Sequence, residues 1–350
     1  MNLENKKILI VGGAGFVGSN LTKMILNNHN PQQVIVVDNL LSSEKFNLPE
    51  NSRLNFIEGS ITNDGILKQV GLEVDFIFHL STFHGNQSSI EDPLRDHENN
   101  TLTTLKLMNF MKDSTSLKKL VYSAAGCSSA KKTYDNAEAT TEDAPISLVQ
   151  DSPYSISKVI GEFYAVYYHK QHNLPTVRAR FQNVFGPGEV LGAGQWRGTE
   201  HTVWRNVTPN FIYKSLKKEK LPLFNGGDAS RDFIFVNDIC RGLIACALKG
   251  TPGDVYNIAS GNEVTIKEWA ELICEYTGND GGVELLPKRT WDTSGKRFGS
   301  TDKSKNELGF EANVDYKGSL RTTIEWTKNN LETIEKCISK HDHQMKKLKN

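Results

Sequence analysis

The chain is expected to fold as an α/β protein: a doubly wound parallel sheet joined to a smaller C-terminal α/β domain. Three observations lead there. Short apolar runs alternate with helical patterns through the first half, a glycine cluster sits at the first run-to-helix junction, and beyond residue 183 the alternation stops. Strands are predicted over 7–11, 33–38, 53–57, 74–80, 118–123 and 176–182, with helices around 16–28, 62–70, 93–113 and 153–172. Such alternation gives parallel strands with helices on both faces and ligands at the carboxyl ends of the strands. Ser152-Pro153 marks the start of the last of these helices, a capping residue followed by proline in the first turn. Residues 1–182 then form the larger domain, with 232–262 expected to pass back to it. Residues 183–231 and 263–335 form the smaller one, and 336–350, rich in Lys and His, reads as a solvated tail.

The glycine cluster, Gly12-Gly13-Ala14-Gly15-Phe16-Val17-Gly18, follows the apolar run Ile8-Leu9-Ile10-Val11. A strand turning sharply into a helix needs backbone angles that glycine tolerates. A missing side chain at Gly15 lets a pyrophosphate reach the amides at the helix N-terminus, where the dipole favours an anion. Gly18 allows the helix to pack closely on its strand. Asp38 lies 20 residues beyond Gly18, at the end of Val34-Ile35-Val36-Val37, where an acidic group meets ribose hydroxyls. Its charge repels a 2′-phosphate, so NAD is expected rather than NADP.

Composition excludes other classes. With 41 basic and 41 acidic residues the formal charge is zero, so no global field draws nucleic acid or anionic lipid. No apolar run approaches the ~20 residues of a membrane span, and the N-terminus carries no export signal. The five cysteines are scattered and lack metal-ligand spacing, so buried thiols in a reducing cytoplasm are expected, with no metal site. Asn206-Val207-Thr208 matches a glycosylation acceptor, read here as chance.

The ordered motifs carry a resemblance. Gly12-x-x-Gly15-x-x-Gly18, Asp38, His79-Leu80-Ser81, Asn100, Tyr154-x-x-x-Lys158, Arg180-Phe181-Gln182-Asn183-Val184-Phe185-Gly186-Pro187 and Arg231-Asp232-Phe233-Ile234-Phe235-Val236-Asn237-Asp238 follow one another in the chain. Over roughly residues 6 to 330 the sequence resembles an extended short-chain dehydrogenase/reductase of the NAD-dependent epimerase/dehydratase family, which acts on nucleotide sugars. The resemblance implies a Rossmann fold and an NAD site made by Gly12, Gly15, Phe16, Val17, Gly18, Asp38, Asn39, Ser60, Ile61, Leu80, Ser81, Asn100, Tyr154 and Lys158. It implies substrate contacts from Asn183, Arg231 and Arg297, with Arg289 as the alternative to Arg297, and a homodimer formed through 93–113 and 153–172. His84 is a further residue that could face the sugar.

By that resemblance the chemistry centres on Tyr154. A phenol has a pKa of about 10, and Lys158 one helical turn later shares its face. Lowering the pKa to about 7 takes roughly 4 kcal/mol, which two nearby cations, Lys158 and an oxidised nicotinamide, can supply. The phenolate then removes a hydroxyl proton as hydride leaves the same carbon.

One position departs from the family pattern. Relatives place Ser or Thr after Leu120-Val121-Tyr122, in register with Ala125 here; Ser123, Ser128 or the thiol of Cys127 is left to substitute. Dehydratases follow that residue with Asp-Glu, where this chain has Gly126-Cys127, and decarboxylating relatives use a glutamate, also absent. A 4-epimerase needs neither, so that is the expected reaction. Cys127 as the base of a 3,5-epimerase, a dehydratase with rearranged acids, and a non-catalytic NAD sensor are the alternatives. The insertion 192–201 is expected to cover the sugar, make a dimer contact or simply pack.

Overall fold

The computed structural model describes the chain apart from residues 84, 131, 132, 291, 293, 294, 314, 349 and 350. Seven parallel strands form its main sheet: β1 (Lys7–Val11), β2 (Gln33–Asp38), β3 (Leu54–Glu58), β4 (Phe76–His79), β5 (Lys119–Ala125), β6 (Thr176–Phe181) and β7 (Val255–Ile258). Their spatial order is β3-β2-β1-β4-β5-β6-β7. The order reverses between β1 and β4, the switch point where such sheets open a crevice. Register pairs Val11 with both Val37 and His79, and His79 with Tyr122, so β1, β2 and β4 end within a residue of one another while β5 runs on to Ala125.

Period-two patterning decides which helices cover which face. Ile8 and Ile10 pack with Leu21 and Ile25 of the Phe16–Asn28 helix and with Ile239 and Leu243 of the Val236–Lys249 helix. Leu9 and Val11 face the opposite layer, with Leu107, Met108, Ala165 and Tyr168. A third core joins Phe185, Phe211, Leu223, Phe233 and Trp269. There Trp269 stacks on Phe233 at 4.1 Å between centroids, and its indole N–H donates to Thr208 Oγ1 at 3.1 Å. The Ile266–Thr277 helix in this core begins with a capping box between Thr265 and Glu268.

The helix expected over 93–113 runs without a gap from Pro93 to Met111, with a π-helical segment, His97–Leu102, in its middle. Thr103 Oγ1 donates to Asn99 O at 2.7 Å and Thr104 Oγ1 to Asn100 O at 2.7 Å, side chains competing for the helix's own carbonyls. The tail is not merely solvated: Cys337 and His341 are buried, because Ile334 and Cys337 close a small core with Val190, Leu191 and Ala193. The insertion is anchored across the end of β2, where Gln195 N donates to Leu41 O at 2.9 Å, and it lines the cleft through Ala193 and His201.

Among the described residues, no helix is long and apolar enough to cross a membrane, and no cluster of His, Cys, Asp or Glu could hold a metal ion.

Candidate active site

A cleft of about 500 Å³ opens at the carboxyl ends of β1, β2, β4 and β5, with the third core forming its far wall. On the near side, the chain turns from β1 into its helix through Gly12, whose φ of +82° is left-handed. A Cβ at Gly12 would lie 2.6 Å from Ser81 N, and one at Gly18 would lie 2.2 Å from Gly12 O. Gly18 is therefore required by the turn itself rather than by contact with the strand. Gly15 differs: its nearest neighbour would be Gly12 O at 3.3 Å. It is the N-cap of the Phe16–Asn28 helix, with no side-chain cap and no acidic residue in the first turn. Uncapped amides at a helix start that lines a cleft fit the pyrophosphate of a dinucleotide.

Asp38 lines the same cleft. Its Oδ2 accepts from Ala14 N at 2.9 Å, and its Oδ1 accepts from Leu40 N at 2.9 Å and Ser43 Oγ at 2.8 Å. Burial pushes its pKa up while those donors oppose the shift. The carboxylate is thereby held in one orientation at the end of β2. Asn39, Ser60, Ile61, Leu80 and Ser81 also line the cleft.

Asn100 is not among the lining residues; its neighbours Asn99 and Thr103 are. It works from behind the wall. Its Oδ1 accepts from Phe83 N at 2.6 Å, and its Nδ2 donates to Asp96 Oδ1 at 2.7 Å and Ser157 Oγ at 3.1 Å. That set ties the loop after β4 to the helix bearing Tyr154 and Lys158.

Tyr154 and Lys158 stand on the Pro153–His172 helix, which Ser152 caps by accepting from Ser155 N. Lys158 Nζ lies 5.9 Å from the Tyr154 ring centroid and donates to Ser123 O at 2.9 Å. Burial pushes Lys158 down to about 8, while Asp96 and Cys127 pull the other way. Burial raises Tyr154, and neighbouring Cys127 and Asp96 add to that rise. The protein's own groups therefore keep the phenol protonated near neutral pH.

The structure narrows what stands in for the hydroxyl missing at Ala125. Ser128 is buried and donates to Ser155 O at 3.3 Å, away from the cleft. Ser123 lines the cleft, but its Oγ donates to His79 O at 2.9 Å. Cys127 lines it too, half-buried beside Tyr154.

On the far side Asn183, Arg231 and Arg297 all line the cleft, and so does Arg289. Arg231 Nη1 donates to Ser230 O at 2.6 Å and Gly295 O at 2.9 Å. Burial, then the neighbouring Arg297, lowers its pKa to about 9, a pair of cations suited to a diphosphate. Arg289 lies 3.7 Å from the Phe224 ring centroid. His84 lies outside the described residues.

Two groups at the cleft escaped the sequence reading. Asn206 lines it at the start of the Val207–Leu216 helix, and its amide donates to Glu189. A signal was present, since Asn206 with Pro209 three residues on marks a helix start as readily as a glycosylation acceptor. Glu189 is held with its pKa up at about 7 by burial, against the bond from Asn206 and the charge of Arg205.

An uncapped helix start, an oriented strand-end carboxylate and a tyrosine–lysine pair define a dinucleotide-dependent enzyme site facing an arginine-lined pocket. The model of the NAD dependent epimerase/dehydratase family matches residues 8–259, and the chain belongs to that family; its cofactor is NAD. The crystal structure of the Bordetella bronchiseptica enzyme WbmF in complex with NAD+ and UDP is similar over 98% of each chain, with 60% identity and a TM-score of 0.88. Epimerase Mth375 of Methanothermobacter thermautotrophicus is 36% identical, covers 95% of each chain and has a TM-score of 0.86. A putative UDP-glucose 4-epimerase of Methanocaldococcus jannaschii is 27% identical over 329 residues, 93% of this chain and all of its own length.

Proposed function

We propose that the protein is a nucleotide-sugar 4-epimerase. It oxidises the sugar at carbon 4 to a ketone and restores the hydroxyl with opposite configuration. The observation that carries this reading is local: β5 ends at Ala125 and passes into Gly126-Cys127-Ser128-Ser129, a segment without a carboxylate to drive elimination or decarboxylation. The Tyr154–Lys158 pair remains intact beside it.

Bound NAD⁺ supplies the hydride acceptor and a positive ring beside the phenol. Tyr154 takes the proton of the sugar hydroxyl as phenolate and gives it back after the ketone has turned over. Lys158, fixed on Ser123 O, holds a positive charge next to that phenolate. Arg231, Arg297 and Asn183 grip the diphosphate and so keep the nucleotide in place while the sugar rotates. UDP in the WbmF complex supports a uridine diphosphate sugar.

A second reading has its own observation. Cys127 is the half-buried thiol beside Tyr154, with Ser123 and Ser128 engaged elsewhere. A thiolate there suits proton abstraction beside a ketone, as a 3,5-epimerase requires.

The homodimer is also a proposal. Ile156, Phe163 and Tyr167 are 48%, 59% and 52% exposed along one stripe of the Pro153–His172 helix, apolar surface that a second copy would cover.

Incubating the purified protein with UDP-, GDP-, CDP- and dTDP-sugars and reading products by NMR tests the reaction. Inversion at carbon 4 with no net NADH is expected; a 4-keto-6-deoxy product, or no conversion of any sugar, overturns it.

A further inference from the structure

Three separated segments meet over the end of β2. The first is the loop Asn39–Glu44, which lines the cleft through Asn39, Leu41 and Ser42. The second is the insertion from Val190 to Arg205, which lines it through Val190, Ala193 and Arg205. The third is the C-terminal helix Leu331–Ser339 with Lys340 and His341 behind it.

Each junction is specific. Arg205 donates to Ser42 O at 2.9 Å, Val190 O at 2.9 Å and Ala193 O at 3.2 Å, stitching insertion to loop. Glu44 Oε1 accepts from Gly194 N at 3.0 Å and also pairs with Lys340. His341 Nε2 donates to Gly192 O at 2.9 Å from a buried position. The backbones touch closely enough to exclude side chains: a Cβ at Gly192 would lie 2.5 Å from Cys337 O, and one at Gly194 would lie 2.4 Å from Leu41 O. Both glycines have positive φ, +70° and +85°. Val190, Leu191, Ala193, Ile334 and Cys337 seal the contact with apolar surface.

This roof stands beside Asp38, over the end of the cleft where the carboxylate faces ribose. We propose that Glu44, Lys340 and His341 are positioning residues that latch the roof and set how slowly NAD leaves the protein. A carboxylate and an imidazole far along the chain thereby govern cofactor retention without touching the reacting carbon. A cycle that regenerates its cofactor in place gains from this, because NADH lost before the ketone is reduced strands both. The latch rests on NAD binding alone and holds whichever carbon is epimerised.

The test is release of labelled NAD from the loaded protein into excess unlabelled NAD, followed by rapid gel filtration. His341→Ala and Glu44→Ala are each expected to speed release by about tenfold, the scale of one lost hydrogen bond. A chain ending at Asn330 is expected to release faster still. Melting temperature and circular dichroism report folding separately, and if the shortened chain does not fold the two point variants decide. Release at the parental rate in folded His341→Ala and Glu44→Ala overturns the proposal, including where the melting temperature falls.

Discussion

Lys158 donates to the backbone carbonyl of Ser123 at 2.9 Å, bridging from the Pro153–His172 helix to the last residues of β5. The bond spans 35 residues of sequence and locks the ammonium against a strand that ends at the cleft. Its carbonyl partner is neutral, so burial is not offset by a directly bonded anion, and the Lys158 pKa falls to about 8.

The charge on Lys158 is therefore expected to limit turnover on the alkaline side. As pH rises through about 8 the ammonium is lost and the phenolate of Tyr154 loses its stabilising neighbour. A pH–rate profile of the parent should fall there, whereas Lys158→Arg, slower overall, should keep a flat alkaline limb because guanidinium stays charged. Tyr154→Phe should lower kcat by roughly 10²–10⁴-fold while NAD remains bound.

Asp96 provides a stability test with a defined sign. Burial raises its carboxyl from 3.8 to about 6, so the folded protein holds a proton that the unfolded chain has released. Its favourable contribution is complete below about pH 4 and is lost as pH rises through about 6. Asp96→Asn, which stays neutral, should show a smaller decline in urea midpoint between pH 4 and 7 than the parent.

Asn100 joins the loop after β4 to the helix that bears Tyr154 and Lys158. Asn100→Ala leaves Phe83 N–H buried without its acceptor and should cost about 1–3 kcal/mol in urea unfolding. Because the tie also positions Ser157, three residues from Tyr154, kcat should fall more than KM rises. A KM effect alone would argue for direct ligand contact.

Cys127 separates the two epimerase readings. In deuterated water a 4-epimerase returns the same hydride and leaves carbons 3 and 5 unlabelled, and Cys127→Ala should still turn over. Deuterium at either carbon, abolished by Cys127→Ala, would establish the thiol as a base.

The local part of the design was legible in the chain. Gly12, Gly15 and Gly18, Asp38 and the Tyr154–Lys158 pair belong to single turns or strand ends, where a few residues fix backbone angles and spacing. Alternating apolar runs predicted six strands of the main sheet within a few residues. Other features come from contacts between distant segments, which no local spacing encodes. Asn100 faces inward because Phe83 and Ser157 meet it from other elements, and Ser128 is withdrawn because Ser155 lies behind it. Cys337 and His341 read as a frayed, polar end, yet they are buried once the insertion at 190–194 folds back across β2. Sequence thus determined the fold class and the cofactor, since those follow from short-range sterics, periodicity and the ordered motifs that carry the family resemblance. Tertiary structure decided which hydroxyls remain at the cleft and what closes it, since burial and hydrogen-bond partners exist only after the segments have met.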